Sequence, residues 1–110
     1  MNELNRYRIV WTETGKKDLI DIVEYIANNS LAAARKTANK IKSKVQQLDS
    51  LPARGRWIPE LQNVGIYIYR ELIAKPWRIV YRIEHKTVFV TAVLDSRRDL
   101  ETILIERLLR

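Results

Sequence analysis

The chain has 110 residues, of which 46% are hydrophobic and 30% charged, and its formal net charge is +7. This length and composition predict one globular domain, residues 1–110, and argue against disorder. The chain has no cysteine and one histidine, which excludes disulfides and cysteine-type zinc sites and predicts a cytoplasmic location. No apolar run approaches the roughly 18 residues of a membrane span, and the first residues lack a signal-peptide core, so no membrane association is expected.

The positive charge is concentrated in one segment. Residues 31–56 contain seven basic residues against a single acid, a local charge of +6, whereas the other 84 residues carry 13 bases and 12 acids. The seven bases are Arg35, Lys36, Lys40, Lys42, Lys44, Arg54 and Arg56. Such a segment indicates either an anionic partner at that place or a basic helix face that aids solubility.

The pattern of the first half of the chain predicts a strand followed by two helices. Residues Tyr7–Trp11 alternate large apolar and other side chains, which is typical of a short strand. Thr12 or Thr14 can cap the next helix, and Ser30 can cap a second one. The apolar positions that define these helices are Leu19, Ile22, Val23 and Ile26 in the first, and Ala34, Ala38, Ile41, Val45 and Leu48 in the second. A polar connection of about three residues between them predicts an antiparallel hairpin.

The second half predicts a meander of strands and a last helix. A connection of about fourteen residues, 52–65, comes first, and structureless segments of that length are usually functional or mobile. The predicted strands are Ile66–Ile73, Trp77–Glu84 and Thr87–Asp95, with a tight turn at 84–86. The order is α+β: an N-terminal strand, a two-helix antiparallel hairpin, a three-stranded antiparallel meander and a C-terminal helix over residues 97–110.

The start of the last predicted helix is electrostatically unusual. Ser96 and Asp99 have the spacing of an N-cap and its reciprocal partner. Arg97 and Arg98 would then occupy the first turn, where the helix dipole favours carboxylates instead. This conflict favours a functional role for the arginine pair, and Glu101 or Asp95 is the expected partner if Arg98 is structural instead.

Little in the sequence supports metal or nucleophilic chemistry. His85 lies at the predicted turn, where an exposed position is typical, and no phosphate-binding glycine motif is present. Neither a metal nor a cofactor is therefore expected. Glu60 and Glu71 are interpreted as salt-bridge partners of nearby arginines, and Arg82 as a cross-strand partner of Glu71 and Glu84.

The remaining chemistry is a set of arginines on a sheet face that is expected to be half exposed. Their forked guanidinium groups suit phosphates and carboxylates. The candidates for binding an anion or a macromolecular target are Arg54, Arg56, Arg70, Arg78, Arg97 and Arg98.

Five stretches carry a resemblance to a known family. These are "RIVWTETGKKDLIDIVEYI", "GRWIPEL", "YRELI", "KPWRIVYRIE" and "TVFVTAVLDSRRDLE". In this order and spacing, from Ile9 to about Glu101, they resemble the RelE/ParE superfamily of type II toxins. The resemblance implies a small α+β toxin that is neutralised by a cognate antitoxin, and it implies one of two mechanisms.

RelE-like members cut mRNA in the ribosomal A site, and their motif arginines are matched here by Arg78 and Arg97. Other elements of that set are missing: "YIYREL" contains no lysine, and the residues around Ile103 are aliphatic. Tyr67, Tyr69 or Tyr81 would have to replace a missing acid or base, and Tyr81 is the one taken as a catalytic candidate under this mechanism. Outside this nuclease mechanism no residue is assigned a catalytic role, and the sequence does not decide whether the chain is an enzyme.

ParE-like members inhibit DNA gyrase and need no catalytic constellation. Residues Asp95-Ser96 stand where many relatives have His-Gly, which removes another catalytic candidate. The sequence therefore favours a ParE-like toxin that inhibits growth through gyrase and serves in plasmid stabilization. The alternatives are a ribosome-dependent mRNA endonuclease, acting on ribosome-bound mRNA, and a toxin fold that has lost toxicity.

The resemblance also implies a protein partner. We expect a small acidic antitoxin, encoded in an adjacent reading frame, whose partly disordered tail folds across the basic toxin and forms a hetero-oligomer with it. The aromatic residues predicted to contact it are Trp57, Tyr67, Tyr69 and Trp77.

Overall fold

The computed structural model describes residues 6–108. Its elements are strand β1 (Arg8–Trp11), helices α1 (Glu13–Ala27) and α2 (Leu31–Gln46), strand β2 (Arg56–Trp57), helix α3 (Pro59–Gln62), strands β3 (Tyr69–Ala74), β4 (Trp77–Glu84) and β5 (Thr87–Asp95), and helix α4 (Leu100–Leu108). One sheet contains all five strands in the order β1-β5-β4-β3-β2. Strand β1 runs parallel to β5, and the other pairs are antiparallel. The predicted α+β class is confirmed, and β1 and β2 flank the expected meander in the sheet.

Helices α1 and α2 form the expected hairpin and cover one face of the sheet. Each begins at a predicted cap: Thr12 Oγ1 accepts from the Gly15 amide at 3.1 Å, and Ser30 Oγ accepts from the Ala33 amide at 3.0 Å. The fully buried members of the core beneath this hairpin include Ile41, Leu48, Ile79, Tyr81, Val88 and Val90. Within residues 6–108, no helix is both long and apolar enough to cross a membrane.

A bulge in β5 supplies apolar side chains to the second face of the sheet. The register passes from Val80 opposite Ala92 to Tyr81 opposite Val90, so Thr91 is an extra residue on β5. Beyond this bulge the alternation changes phase. A second core therefore forms under α3 and α4, from Ile58, Leu61, Val80, Ala92, Leu94, Leu100 and Leu104. The expectation of a half-exposed sheet face is wrong, because these two helices cover it.

The long connection is more ordered than its composition predicts. It contains a single helical turn at Pro52–Arg54, then β2, then α3. Strand β3 begins at Tyr69, three residues later than predicted. The two-residue strand β2 exists because the edge of β3 offers unpaired backbone groups to Arg56 and Trp57.

The predicted capping box at Ser96 is wrong. Helix α4 begins at Leu100 instead of Arg97, and the Ser96 amide donates to the Pro76 carbonyl at 2.8 Å. The Arg97 amide donates to Asp95 Oδ1 at 2.9 Å, which holds this stretch in a turn. Both arginines therefore precede the helix, so their charges do not oppose the dipole of a first turn. Residues 109–110, the predicted end of this helix, lie outside the described residues.

Candidate functional site

Arg78 lies at the centre of a charge cluster on the α3/α4 side of the sheet, and the cluster is buried at Arg78 and Glu71. Its Nη1 and Nη2 donate to the two carboxylate oxygens of Glu60 at 2.7 and 2.8 Å. Nη2 also donates to Glu71 Oε2 at 3.0 Å, and Nε donates to Glu71 Oε1. Arg56 Nε donates to the same Glu71 at 2.7 Å. These four residues, called the Arg78 cluster below, bring together two acids and two bases with no net charge.

The three elements that meet at the Arg78 cluster explain why it forms. Strand β3 places Glu71 beside β4, β2 places Arg56 opposite Glu71, and the first turn of α3 supplies Glu60. Arg78 is 7% exposed and Glu71 is 1% exposed, so each charge requires a partner. The interpretation of Glu60 and Glu71 as salt-bridge partners of arginines is confirmed.

The carboxylates that bind Arg78 change the pKa values of the ion pair. The hydrogen bond to Glu60 raises the pKa of Arg78 above its usual value, although burial opposes this shift. The same hydrogen bond lowers the pKa of Glu60. Four of the five N–H groups of Arg78 donate within the Arg78 cluster. Little donor capacity is therefore left for a phosphate.

Tyr81 lies on the opposite face of the sheet from Arg78. Its hydroxyl donates to the Pro52 carbonyl and accepts from the Gly55 amide, both at 2.8 Å. Burial raises the pKa of Tyr81, which keeps the phenol protonated. A Cβ on Gly55 would lie 2.6 Å from this hydroxyl, so the contact requires glycine there. The hydroxyl of Tyr81 thus anchors the connection after α2.

Arg97 forms its ion pair with the end of β5. Its Nε and Nη2 donate to the two oxygens of Asp95 at 2.9 and 2.6 Å, and its side chain stays 73% exposed. The Arg97 hydrogen bond lowers the pKa of Asp95 to about 2. The predicted pairing of Arg98 with Asp95 is wrong, because Arg97 binds both oxygens of that carboxylate. Within residues 6–108, no ion pair joins Arg98 to Glu101 either.

The two arginines that match the nuclease motif line different grooves. Arg97 and Arg98 line a groove between α1 and the end of β5, together with Trp77 and the 74% exposed Tyr25. The groove beside Arg78 is lined instead by Arg56, Ile73, Lys75, Pro76 and Ser96. Sequence reasoning missed Tyr25, whose signal is an aromatic residue outside the apolar positions of α1.

Arg54, a predicted binding residue, and Arg82, a predicted salt-bridge partner, differ in their surroundings. Arg54 is exposed and donates to the side-chain oxygen of Gln47 at the end of α2. Arg82 is 3.5 Å from Glu84 on the same strand and stacks on Phe89 at 4.3 Å. Its predicted pairing with Glu71 is wrong, because the Arg78 cluster occupies that carboxylate.

The edge formed by β2 and β3 carries an aromatic surface. The guanidinium of Arg70 stacks 4.0 Å above the Trp57 ring, and Tyr67 meets that ring edge-on at 5.8 Å. Arg70 Nη1 also donates to the Gly55 carbonyl at 2.8 Å. Tyr67 and its neighbour Ile68 are 54% and 57% exposed. We call Trp57, Tyr67, Ile68 and Arg70 the edge surface.

The other two predicted antitoxin contacts lie elsewhere. The Tyr69 hydroxyl donates to the Leu108 carbonyl at 3.2 Å, and its ring packs in the core under α3 and α4. Trp77 packs against the core beneath the α1/α2 hairpin. The structure therefore brings Trp57 and Tyr67 together and separates Tyr69 and Trp77 from them.

A family model covers most of this structure. The model described as "ParE toxin of type II toxin-antitoxin system, parDE" matches residues 9–100, from β1 to the first residue of α4. The chain belongs to the ParE toxin family. It is therefore a toxin of the ParE/RelE superfamily of type II toxin–antitoxin systems, as the sequence resemblance predicts.

Named ParE and RelE relatives agree with this membership. This ParE-family chain is 29% identical over 94 residues to Toxin ParE3 of Caulobacter vibrioides, covering 84% of this chain and 90% of ParE3. It is 33% identical over 82 residues to Toxin RelE2 of the same organism, covering 71% of this chain and 93% of RelE2.

Solved structures share the ParE-family fold. A chain of the chromosomal ParDE toxin–antitoxin system from P. aeruginosa aligns with a TM-score of 0.67 at 19% identity, covering 83% of this chain and 97% of the other. A chain of the RelBE2 toxin–antitoxin complex from Mycobacterium tuberculosis aligns with a TM-score of 0.52 at 26% identity, covering 82% and 91%.

Proposed function

We propose that this protein inhibits bacterial growth by binding and poisoning DNA gyrase, and that a cognate antitoxin neutralises it in the cytoplasm. The observation that carries this proposal is the state of Arg78. The guanidinium that matches the nuclease motif is nearly buried and is held by the carboxylates of Glu60 and Glu71. A protein that acts by binding does not need that group at its surface.

Cleavage of RNA by its own 2′-hydroxyl needs a proton acceptor, a proton donor and a cation at the phosphate. Of the three candidates, Arg78 is occupied, Tyr81 uses its hydroxyl on the opposite face, and Arg97 lies in another groove beside Asp95. This separation supports inhibition without turnover.

For the target contact we propose the groove that Arg97 and Arg98 line. Tyr25 and Trp77 lie in the same groove. Arginine and large aromatic side chains are the residue types that contribute most to protein–protein binding energy. The exposed Arg54 and Arg56 and the stacked Arg70 are the secondary candidates, on the β2 side of the sheet. Arg78 is assigned a structural role in this proposal.

For the antitoxin contact we propose the edge surface. It combines exposed apolar and aromatic side chains with one cation, a composition suited to an acidic segment that folds on binding. The two structural neighbours named above come from toxin–antitoxin systems, which supports a partner of this kind. We expect its gene beside that of the toxin and a hetero-oligomer as the inactive form.

The test compares two activities of the purified full chain. We expect inhibition of gyrase supercoiling and no new mRNA ends by primer extension on translating ribosomes. The variant Arg97→Gln/Arg98→Gln should weaken the gyrase effect about tenfold or more. The control Arg6→Gln/Arg8→Gln, which removes two exposed charges outside this groove, should leave it nearly unchanged.

A ribosome-dependent mRNA endonuclease is the second candidate, supported by the 33% identity to Toxin RelE2. Cleaved mRNA together with unaffected gyrase would establish this alternative and refute the gyrase proposal. An Arg78→Ala/Arg97→Ala variant would then be expected to lose cleavage.

A further inference from the structure

The two helices of the hairpin carry opposite charge. Helix α1 contains four acids and two bases, whereas α2 contains five bases and no acid within 16 residues. The bases of α2 are Arg35, Lys36, Lys40, Lys42 and Lys44. Neither the Arg78 cluster nor the two surfaces proposed above include them.

The exposed side of α2 has a regular arrangement. Ala34, Ile41 and Val45 are buried against the hairpin core. At 100° per residue, Arg35 and Lys42 form one exposed row, and Lys36 and Lys40 form a second row about 130° around the helix. Exposed residues Asn39, Ser43 and Gln46 lie between the two rows. The result is a neutral polar strip flanked by cations on both sides.

This arrangement is electrostatically unfavourable for an isolated helix. Lys36, Lys40 and Lys44 repel one another at four-residue spacing, and Arg35 and Lys36 lie near the positive end of the dipole. Among residues 6–108 no ion pair neutralises any of the five bases, and Lys40 Nζ donates to the Lys75 carbonyl at 2.7 Å. Helix α1 shows the alternative, because its Lys17 pairs with Asp21 one turn later at 2.9 Å. A helix can be made soluble with acids and bases together, so solubility alone does not explain five bases without an acid on α2.

We propose that the exposed face of α2 binds the phosphate backbones of double-helical DNA by lying along the major groove. A helix is about 10–12 Å across and the major groove of B-form DNA is about 12 Å wide. The two rows of cations would each meet one strand. Asn39, Ser43 and Gln46 are side chains that donate to phosphates and base edges.

The composition of the face argues against other partners. Between the two rows there is no aromatic or large apolar side chain, and the exposed Leu31 is the first residue of α2. Proteins that bind single-stranded nucleic acid typically stack its bases on aromatic side chains, and most of the energy of protein–protein binding comes from a few buried anchors. The major groove of double-stranded RNA is too narrow for a helix. Duplex DNA fits both the charge and the shape.

The test is a fluorescence anisotropy titration of the purified full chain with a labelled DNA duplex of about 20 base pairs, from about 50 to 200 mM salt. The variant Lys36→Gln/Lys40→Gln/Lys42→Gln should bind at least about tenfold more weakly, and its salt slope should be smaller by about 0.9 for each phosphate that the variant no longer neutralises. The variant with arginine at the same three positions should bind as the wild type does. Circular dichroism checks that each variant is folded.

A matched control distinguishes the effect of removing charge from α2 from the effect of lowering the net charge of the whole protein. Arg6→Gln/Arg8→Gln/Lys16→Gln removes the same three charges outside α2, and the net charge falls from +7 to +4 in both triple variants. We expect the affinity of the control to fall by less than about threefold.

The outcomes that would overturn the proposal are equal losses of affinity in the two triple variants, an unchanged affinity of the α2 variant, and binding of single-stranded DNA or duplex RNA as tight as that of duplex DNA. Gyrase is absent from the titration, so the result is independent of the proposed target.

Discussion

Arg78, the arginine that resembles a nuclease-motif residue, connects three elements of the fold. Its side chain joins β4 to β3 through Glu71 and to α3 through Glu60. A buried ion pair adds little compared with an apolar replacement of both partners, but removing one partner leaves an uncompensated charge. We therefore expect that replacing one member of the Arg78 cluster lowers the stability of the fold more than replacing both partners of an ion pair by apolar residues.

We predict that Glu71→Gln lowers the free energy of unfolding by about 3 kcal/mol, because Arg78 and Arg56 lose their shared carboxylate. The pair Glu71→Leu/Arg78→Leu should cost less than the sum of its two single changes. Urea unfolding of the four proteins measures this as a double-mutant cycle. Strictly additive losses would contradict the coupling, and Glu106→Gln on the exposed side of α4 is the control.

We also predict that Tyr81→Phe costs about 1–3 kcal/mol, because the Gly55 amide and the Pro52 carbonyl both lose their hydrogen-bond partner in a buried place. The matched control is Tyr25→Phe, since Tyr25 is 74% exposed, and its change should lie within about 0.5 kcal/mol. Thermal and urea unfolding measure both. A Tyr81→Phe variant as stable as the control would show that the two backbone groups find other partners.

The second layer of helices, α3 and α4, was not expected from the sequence. Helix α4 covers β4 and β5 through Leu100 and Leu104, while α3 adds Ile58 and Leu61. Arg107 Nη2 of α4 also donates to Asp18 on α1 at 2.9 Å, so α4 is joined to the helical hairpin as well. The last helix is thus part of the folded core.

We predict that Leu104→Ala lowers the free energy of unfolding by about 2–5 kcal/mol, because Leu104 is 1% exposed and a cavity would remain. Ile105→Ala, on the same helix but 42% exposed, should cost much less. Urea midpoints give both values, and hydrogen exchange should show faster opening of α4 in Leu104→Ala. Equal effects of the two changes would mean that α4 does not pack on the sheet in solution.

The charges of the whole molecule divide into paired and unpaired regions. Acids are paired with arginines around the sheet, at Glu60, Glu71 and Asp95, whereas within residues 6–108 no ion pair reaches the bases of α2. The pairs at Glu60 and Asp95 link stability to pH, because the pKa values of these two carboxyl groups are lowered in the folded state.

We predict a loss of stability in acid. The carboxyl pKa values of the unfolded chain are about 3.9 for Asp and 4.3 for Glu. Arg78 lowers that of Glu60, and Arg97 lowers that of Asp95 to about 2, in the folded state. The stability these pairs contribute is therefore fully present above about pH 4.5 and is lost as the pH falls towards 2. Urea midpoints measured from pH 7 to pH 2 should fall accordingly.

The matched variant for the acid prediction is Glu60→Gln/Asp95→Asn, which removes both titrating groups. Its urea midpoint should lie below that of the wild type at pH 7 and approach it at pH 2. Two curves that stay parallel over this range would show that other carboxyl groups cause the acid loss.

The sequence by itself determined the elements that depend on neighbouring residues. Strands β4 and β5 begin and end where the alternation predicts, and Thr12 and Ser30 cap their helices as expected. A cap and a two-residue period act over a few residues, so they are visible in a local pattern. The family resemblance, too, rests on the order and spacing of such local motifs.

Only the tertiary structure decided which charges are available at the surface. Arg78 is occupied by acids that lie 7 and 18 positions away in the chain, and β2 exists only because β3 offers it an edge. The turn at Arg97 is held by Asp95 and by the Pro76 carbonyl opposite Ser96, which delays α4 to Leu100. Such contacts join segments that no local pattern connects, because the pairing energy is realised only when the sheet has assembled them.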